Sequence, residues 1–333
     1  MKYLQGFAVA VFAFFIVQMS VSEKPEQNIV EAKHGIVIVF NKSITTPEPV
    51  DGVVGAPKEE NGLGTGYIVD ENYIITNYHV ARDSVELSVV IEGQTQEPYK
   101  AEMVFGDPVS DIAVVKLVDW KKFKEEQPQS KILKFADELP VDAQSVWTIG
   151  HPWGLFYSIS HGIVSNDRRI PPNTPIAWFI QTDAKVYQGN SGGPMLDDEG
   201  DIIGMNSEMI SNTGGSYGLA LPNKLIQKVL NDFEKYGEAR WAVLGVGSKN
   251  SDSTITEVGP GSAAQKAGLL VGDRILTMTV GMKSTEIKTI SDLKIALSMV
   301  DSSDVITLIV MRNDIPVKID ITPDFKKASD FPH

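Results

Sequence analysis

The run Gly189-Asn190-Ser191-Gly192-Gly193-Pro194 is the stretch of this sequence best suited to covalent chemistry. A serine hydroxyl is a weak nucleophile until a base takes its proton and donors stabilise the developing oxyanion. Glycines on both sides let the backbone turn sharply, so that successive N–H groups can face one carbonyl oxygen. The N–H groups of Gly189 and Ser191 are the candidate donors. A glycine-rich turn between strands looks the same, so a base and a group to orient it are required. The chain has five histidines: His34, His79, His151, His161 and His333. His79 directly follows an apolar run, residues 73–76, where a rigid element can present an imidazole to a cleft. An imidazole is the side chain whose charge changes near neutrality, which suits it to proton transfer there. Asp111 opens Asp111-Ile112-Ala113-Val114-Val115-Lys116-Leu117. A carboxylate at the mouth of a buried strand can accept the Nδ1–H of an imidazole and fix its tautomer. Alone, a structural histidine and a turn aspartate are the commoner meanings of these two residues.

Composition bounds what else the chain can be. Its 333 residues are 42% hydrophobic and 22% charged, which is globular and long enough for two packed domains. The net charge of -13 argues against binding to nucleic acid or anionic lipid, both of which need a cationic face. The absence of cysteine removes disulfides, a cysteine nucleophile and thiolate metal ligation. No metal and no cofactor are expected. At the N-terminus Lys2 precedes an apolar run at 7–17, and Ser20-Val21-Ser22 offers small residues before Glu23-Lys24-Pro25. This pattern at 1–22 predicts a cleaved signal peptide or, as the alternative, a retained membrane anchor. Both place the remainder outside the cytoplasm.

The elements that must position Ser191, His79 and Asp111 are mostly strands. Short runs rich in Val, Ile, Tyr and Thr occur at 36–40, 65–69, 73–76, 85–91, 112–117, 146–149, 157–164, 178–182, 202–206 and 217–221. That density predicts a β-sandwich or barrel. Residues 41–61 are polar, carry Pro47, Pro49 and Pro57, and read as a long surface loop. After Pro222, Leu225, Ile226, Val229, Leu230 and Phe233 recur at helical spacing, with Asn223 as the expected N-cap and Gly237 as the stop. A helix there closes the β domain. From Trp241 the chain mixes strands (244–247, 254–258, 274–279, 305–312, 317–321) with two short helices capped by Ser262 and Ser291.

Taken together, these segments resemble the HtrA/Deg family of trypsin-like serine proteases. Gly64-Thr65-Gly66-Tyr67-Ile68-Val69 with Ile75-Thr76-Asn77-Tyr78-His79-Val80 resembles the family's histidine segment, and Asp107-Pro108-Val109-Ser110-Asp111-Ile112 its aspartate segment. Ile149-Gly150-His151-Pro152-Trp153-Gly154 resembles the entry to the second barrel, and Gln181-Thr182-Asp183-Ala184 with Gly189 to Pro194 the nucleophile segment. The resemblance implies a chymotrypsin-like double β-barrel over 26–240, with Ser191, His79 and Asp111 as triad and Gly189 and Ser191 as oxyanion donors. It places Val186, Gly218 and Leu219 at the primary substrate pocket, which is expected to take small or medium apolar residues unless Lys185 faces it. His151 departs from the family's usual Asn, and Leu219 from its frequent Phe. Residues 241–328 resemble a permuted PDZ domain of α+β type, on Val243-Leu244-Gly245-Val246 and Val258-Gly259-Pro260-Gly261-Ser262-Ala263. There Leu244, Gly245 and Val246 are expected to receive a peptide's C-terminal carboxylate, while Leu293 and Leu297 line its groove. The implied function is ATP-independent cleavage of misfolded or regulatory exported proteins by a PDZ-gated homotrimer in the periplasm. The alternative is a catalytically silent PDZ-containing chaperone or binding module.

Overall fold

A computed structural model of the chain describes residues 24–45, 56–92, 97–171, 178–212, 215–248 and 252–331. The leader expected at 1–22 lies outside the described residues. Strands β1 (Ile36–Thr45), β2 (Lys58–Asp70), β3 (Tyr73–Asn77), β4 (Ser84–Ile91), β5 (Tyr99–Asp107) and β6 (Ile112–Leu117) close a first barrel in the order β1-β2-β3-β6-β5-β4. A second barrel follows, from β7 (Ser145–Gly150), β8 (Ser158–Arg169), β9 (Phe179–Thr182), β10 (Pro194–Leu196), β11 (Ile202–Asn212) and β12 (Gly215–Pro222), in the order β10-β11-β12-β9-β8-β7.

The apolar runs are continuous because both faces of these strands are covered. Ile74 and Val115 point into the first barrel with Val37, Val39, Ile68 and Val89. Their neighbours Ile75 and Val114 belong to a larger core shared with Ile149, Leu219 and Leu221 of the second barrel. The interior of the second barrel is filled by Val146, Val164, Ile180, Met195 and Ala220. Three short helices, α1 (Pro25–Ala32), α2 (Tyr78–Ala81) and α3 (Trp120–Glu126), lead to the longer α4 (Asn223–Tyr236). Leu225, Ile226 and Val229 of α4 seal the shared core, and Gly237 ends it with a left-handed φ of 75°.

Two expectations shift in the double-barrel unit. The loop expected at 41–61 is shorter, because β1 and β2 stay in register from Ile36↔Tyr67 out to Thr45↔Lys58. Lys58 to Asn61 are polar because this end of the ribbon stands in solvent. Asn223 is the first helical residue, not the cap; its Nδ2 donates to the carbonyls of Ala136 and Glu138 at 2.8 and 2.9 Å, tying the helix to the inter-barrel connection.

From Trp241 a smaller unit contains β13 (Trp241–Val243), β14 (Val246–Gly247), β15 (Glu257–Val258), β16 (Arg274–Val280), β17 (Lys283–Glu286), β18 (Ile306–Arg312), β19 (Ile315–Ile321) and β20 (Asp324–Lys326). Strands β17-β16-β18-β19 form its sheet, while β13 pairs with β20 and β14 with β15. Helices α5 (Ala263–Lys266) and α6 (Ile290–Ser298) pack on a core containing Ile275, Leu293, Leu308 and Val310. Ser262 caps α5 through its hydroxyl, as expected. The cap of α6 is Thr289, which forms a reciprocal box with Asp292, and Ser291 falls within the first turn.

Candidate active site

His79 sits on α2, a helix too short to persist by its own hydrogen bonds. Asn41 of β1 satisfies the free carbonyls at its end, donating through Nδ2 to Val80 O at 2.9 Å and Arg82 O at 2.8 Å. Asp111 precedes β6 with a left-handed φ of 58°, held by its neighbours. Its carbonyl accepts from Tyr78 N at 3.0 Å and Asn77 Nδ2 at 2.9 Å. The buried Asp107 braces the same turn, accepting from Ser110 N at 3.0 Å and Ser110 Oγ at 2.5 Å, and burial pushes its carboxyl above the usual carboxylate range. Asp111 Oδ1 accepts from the His79 N–H at 2.9 Å, and Oδ2 lies 2.8 Å from His79 Nδ1. A carboxylate in that position requires the proton on Nδ1, which leaves the Nε2 lone pair as the base. Ser207 Oγ donates to the same Oδ2 at 3.0 Å. Nothing around Ser207 in the sequence marks this role, which depends on a contact across the two barrels.

The loop that carries Ser191 runs from β9 to β10. Within it Asn190 N donates to Tyr187 O at 2.9 Å, Gly193 N to Asn190 O at 2.9 Å, and Gly192 N to Asn206 O at 2.8 Å. The N–H groups of Gly189 and Ser191 donate to no group among the described residues. A trans peptide sets its N–H opposite its C=O, so the partners of the preceding carbonyls define where these two point. Gln188 O accepts from Trp153 N at 3.1 Å, and Asn190 O from Gly193 N. The Ser191 hydroxyl itself donates to Ser207 O at 3.1 Å rather than to His79.

The smaller unit holds a groove of about 760 Å³ between β14 and α6. Leu244, Gly245, Val246, Leu293 and Leu297 all line it, joined by Lys294 and Lys326, which the sequence reading missed. Leu244 O accepts from Ala264 N at 2.9 Å and Gly245 O from Gly259 N at 2.8 Å. The following N–H groups, of Gly245 and Val246, therefore face away from these bonds. The left-handed φ of 75° at Gly245 makes the turn, and a Cβ there would lie 2.4 Å from Ser262 Cβ.

The trypsin-like peptidase domain family matches residues 64–205, and the PDZ domain family matches 232–311. A "Probable periplasmic serine endoprotease DegP-like" of Chlamydia muridarum is 32% identical over 291 residues, covering 80% of this chain and 55% of that protein. "Protease Do-like 1, chloroplastic" of Arabidopsis thaliana is 30% identical, covering 78% of this chain and 63% of that protein. Among solved structures, "HtrA-type protease AlgWS227A with decapeptide" superposes with a TM-score of 0.70 at 22% identity, over 91% of this chain and 98% of that one. The serine endoprotease from Yersinia pestis superposes with a TM-score of 0.61 at 25% identity, over 92% and 99%. The chain belongs to the HtrA/Deg family. It spans about half the length of curated relatives it matches.

Against the HtrA/Deg pattern, the substrate-pocket residues divide. Val186 is buried and packs on Gly218: a Cβ added to Gly218 would lie 2.5 Å from Val186 Cγ2. Lys185 is exposed, its backbone bonded to Ser160, Thr148 and Asn190. Leu219, expected at the pocket, is instead fully buried in the core shared by the barrels and α4. Successive strand residues face opposite sides, so Gly218 and Leu219 cannot share one wall. His151, the departure from Asn, is fully buried beside the nucleophile loop, and its Nδ1 accepts from Tyr157 N at 3.0 Å. Desolvation lowers its pKa to about 4. Among the described residues no three His, Asp or Glu side chains are grouped to hold a metal ion.

Proposed function

We propose that the chain is a serine endopeptidase in which Ser191 attacks a peptide carbonyl, His79 takes its proton and Asp111 holds the imidazole. The observation that carries this reading is the 2.8 Å contact between Asp111 Oδ2 and His79 Nδ1 on one barrel, facing a serine loop on the other with two unengaged N–H groups. Rotation about the Ser191 Cα–Cβ bond moves its hydroxyl from Ser207 O toward Nε2. As Oγ bonds to the carbonyl carbon, its proton passes to Nε2, and the oxyanion falls between Gly189 N and Ser191 N. Nε2–H then protonates the leaving amine, leaving an acyl-enzyme. Water hydrolyses that ester by the same relay, so one peptide bond and one water become a carboxylate and an amine without ATP. Val186 against Gly218 makes a shallow floor, which suits a small or medium apolar residue before the cleaved bond.

The groove beside Leu244, Gly245 and Val246 takes a peptide C-terminus, with Lys294 and Lys326 adding charge complementary to a carboxylate. The names of the relatives and the leader pattern support export to the periplasm, where unfolded or regulatory proteins are the substrates. The leader is either removed or kept as an anchor; no helix among the described residues, which begin at Lys24, is long and apolar enough to span a membrane. Trp153, Leu155 and Phe156 are exposed apolar side chains close in sequence, which association into a trimer would cover. The test is turnover of an unfolded protein by Ser191→Ala, which is expected to fall about a million-fold with the far-ultraviolet spectrum unchanged. Retained turnover refutes the assignment. The hydroxyl's bond to Ser207 O is what a catalytically silent binding module would also show, and that reading predicts equal inactivity of wild type and variant.

A further inference from the structure

We infer that Thr65, a residue of the first barrel, is a positioning residue that locks the two oxyanion donors of the second barrel. The inference rests on the assignment of Gly189 and Ser191 as donors and extends it to a side chain that never meets substrate. Thr65 is fully buried in β2. Its Oγ1 donates to Gly189 O at 2.7 Å, and its N–H donates to Ser191 O at 2.9 Å. It thus holds the carbonyls of both donor residues. Its own carbonyl accepts from Thr76 Oγ1 at 2.7 Å, and Thr76 lies on β3, three residues before His79. One residue, through its side chain and its main chain, therefore references the oxyanion donors to the strand pair that carries the base.

The hydroxyl matters because Gly189 has freedom to lose. Its φ of 102° lies in a region that glycine alone occupies easily, so other conformers are close in energy. The Gln188 carbonyl on one side is held by Trp153 N, and the Gly189 carbonyl on the other by Thr65 Oγ1. With both carbonyls fixed, the peptide bearing the Gly189 N–H cannot turn away from the site. Loss of the hydroxyl leaves a buried carbonyl unpaired, and turning that carbonyl out to another partner becomes the cheaper arrangement. The packing around Thr65 excludes slack as well: a Cβ on Gly193 would lie 2.9 Å from Thr65 Cγ2, and one on Gly192 would lie 2.2 Å from Thr65 O.

Thr65→Val keeps the shape and removes the hydroxyl; Thr65→Ser keeps the hydroxyl and removes the methyl; Thr65→Ala removes both. The experiment measures kcat and KM of the full chain on an internally quenched peptide, together with affinity for a peptide boronic acid, whose tetrahedral adduct places an oxygen on the two N–H groups. Val and Ala are expected to lower kcat about tenfold to a hundredfold with KM within about twofold, and to weaken the boronate in parallel. Ser is expected to retain turnover within about threefold. Circular dichroism identifies folded variants, and Ala serves if Val does not fold. The inference is overturned if Val or Ala, folded, turns over like wild type, if the loss lies in KM alone, or if Ser is as impaired as Val. A wild-type chain that neither cleaves peptide nor binds boronate overturns the catalytic reading and this inference together; an active wild type with an indifferent Thr65→Val overturns only the latter.

Discussion

At the scale of single residues, the site divides into groups that do chemistry and groups that hold them. Asp111 is a holder with a charge, since both its oxygens are committed to His79 and Oδ2 also receives Ser207. Asp111→Asn offers Nδ1 a partner that permits the wrong tautomer, so kcat is expected to fall about ten-thousandfold with the fold kept. A steady-state loss smaller than about tenfold contradicts the assigned role. His151 is a holder whose acceptor atom is lost when it takes a proton. Its pKa is lowered from about 6.5 to about 4, so the unfolded chain binds this proton first as pH falls. Stability from this group is therefore complete above about pH 6.5, declines between about 6.5 and 4, and is flat below, a loss of about 3 kcal/mol. Asp197, raised to about 6 by burial, acts in the opposite direction in that window, so the comparison must be between variants. His151→Asn should show a shallower acid loss than wild type in urea titrations at pH 7, 5.5 and 4. Parallel losses would remove His151 as the cause.

Single elements show what a sequence can and cannot display. The apolar strands and α4 are legible because their periodicity is a consequence of burial, as with Leu225, Ile226 and Val229. Gly237 and Ser262 are legible as punctuation for the same local reason. Asn223 and Leu219 mislead, since the first trades a cap for the carbonyls of Ala136 and Glu138, and the second faces the core from a strand whose sidedness is set by its partners. Lys228 and Asp232, one turn apart on α4, form a buried pair at 2.6 Å that the sequence gives no reason to expect inside a core. Lys228 Nζ also donates to Arg240 O and lies 4.5 Å from the centre of the Trp241 ring, and Asp232 accepts from Arg240 N at 2.8 Å. The pair clamps the connection between α4 and β13. Lys228→Met leaves a buried carboxylate without its cation and is expected to cost about 3–5 kcal/mol in chemical denaturation. A change below about 1 kcal/mol would mean that the pair is solvated or dispensable.

Across the whole molecule, the triad candidates were readable as residues, whereas their supports were not. His79, Asp111 and Ser191 stand in distinctive local runs, but Ser207, Asn41, Thr65 and the Trp153 N–H act only through contacts between distant segments. The groove was readable from Gly245 and its neighbours, whereas Lys294, Lys326 and Asp324 on its lining were not. If the groove regulates the protease, a C-terminal peptide that binds it should change kcat/KM on the quenched substrate. Gly245→Val, whose side chain meets Ser262, should weaken that peptide at least about tenfold without changing the peptide-free rate. An unchanged dissociation constant by fluorescence anisotropy would place the peptide elsewhere.

All of this depends on a hydroxyl, an imidazole and a carboxylate acting together across the cleft between the barrels. Treatment of the purified chain with a fluorophosphonate, followed by mass spectrometry of its peptides, reads that directly. The account predicts one adduct on Ser191, lost when the chain is first denatured and strongly slowed in His79→Ala. An unlabelled Ser191 in folded protein that binds peptide in its groove, or labelling that ignores the loss of His79, would contradict it.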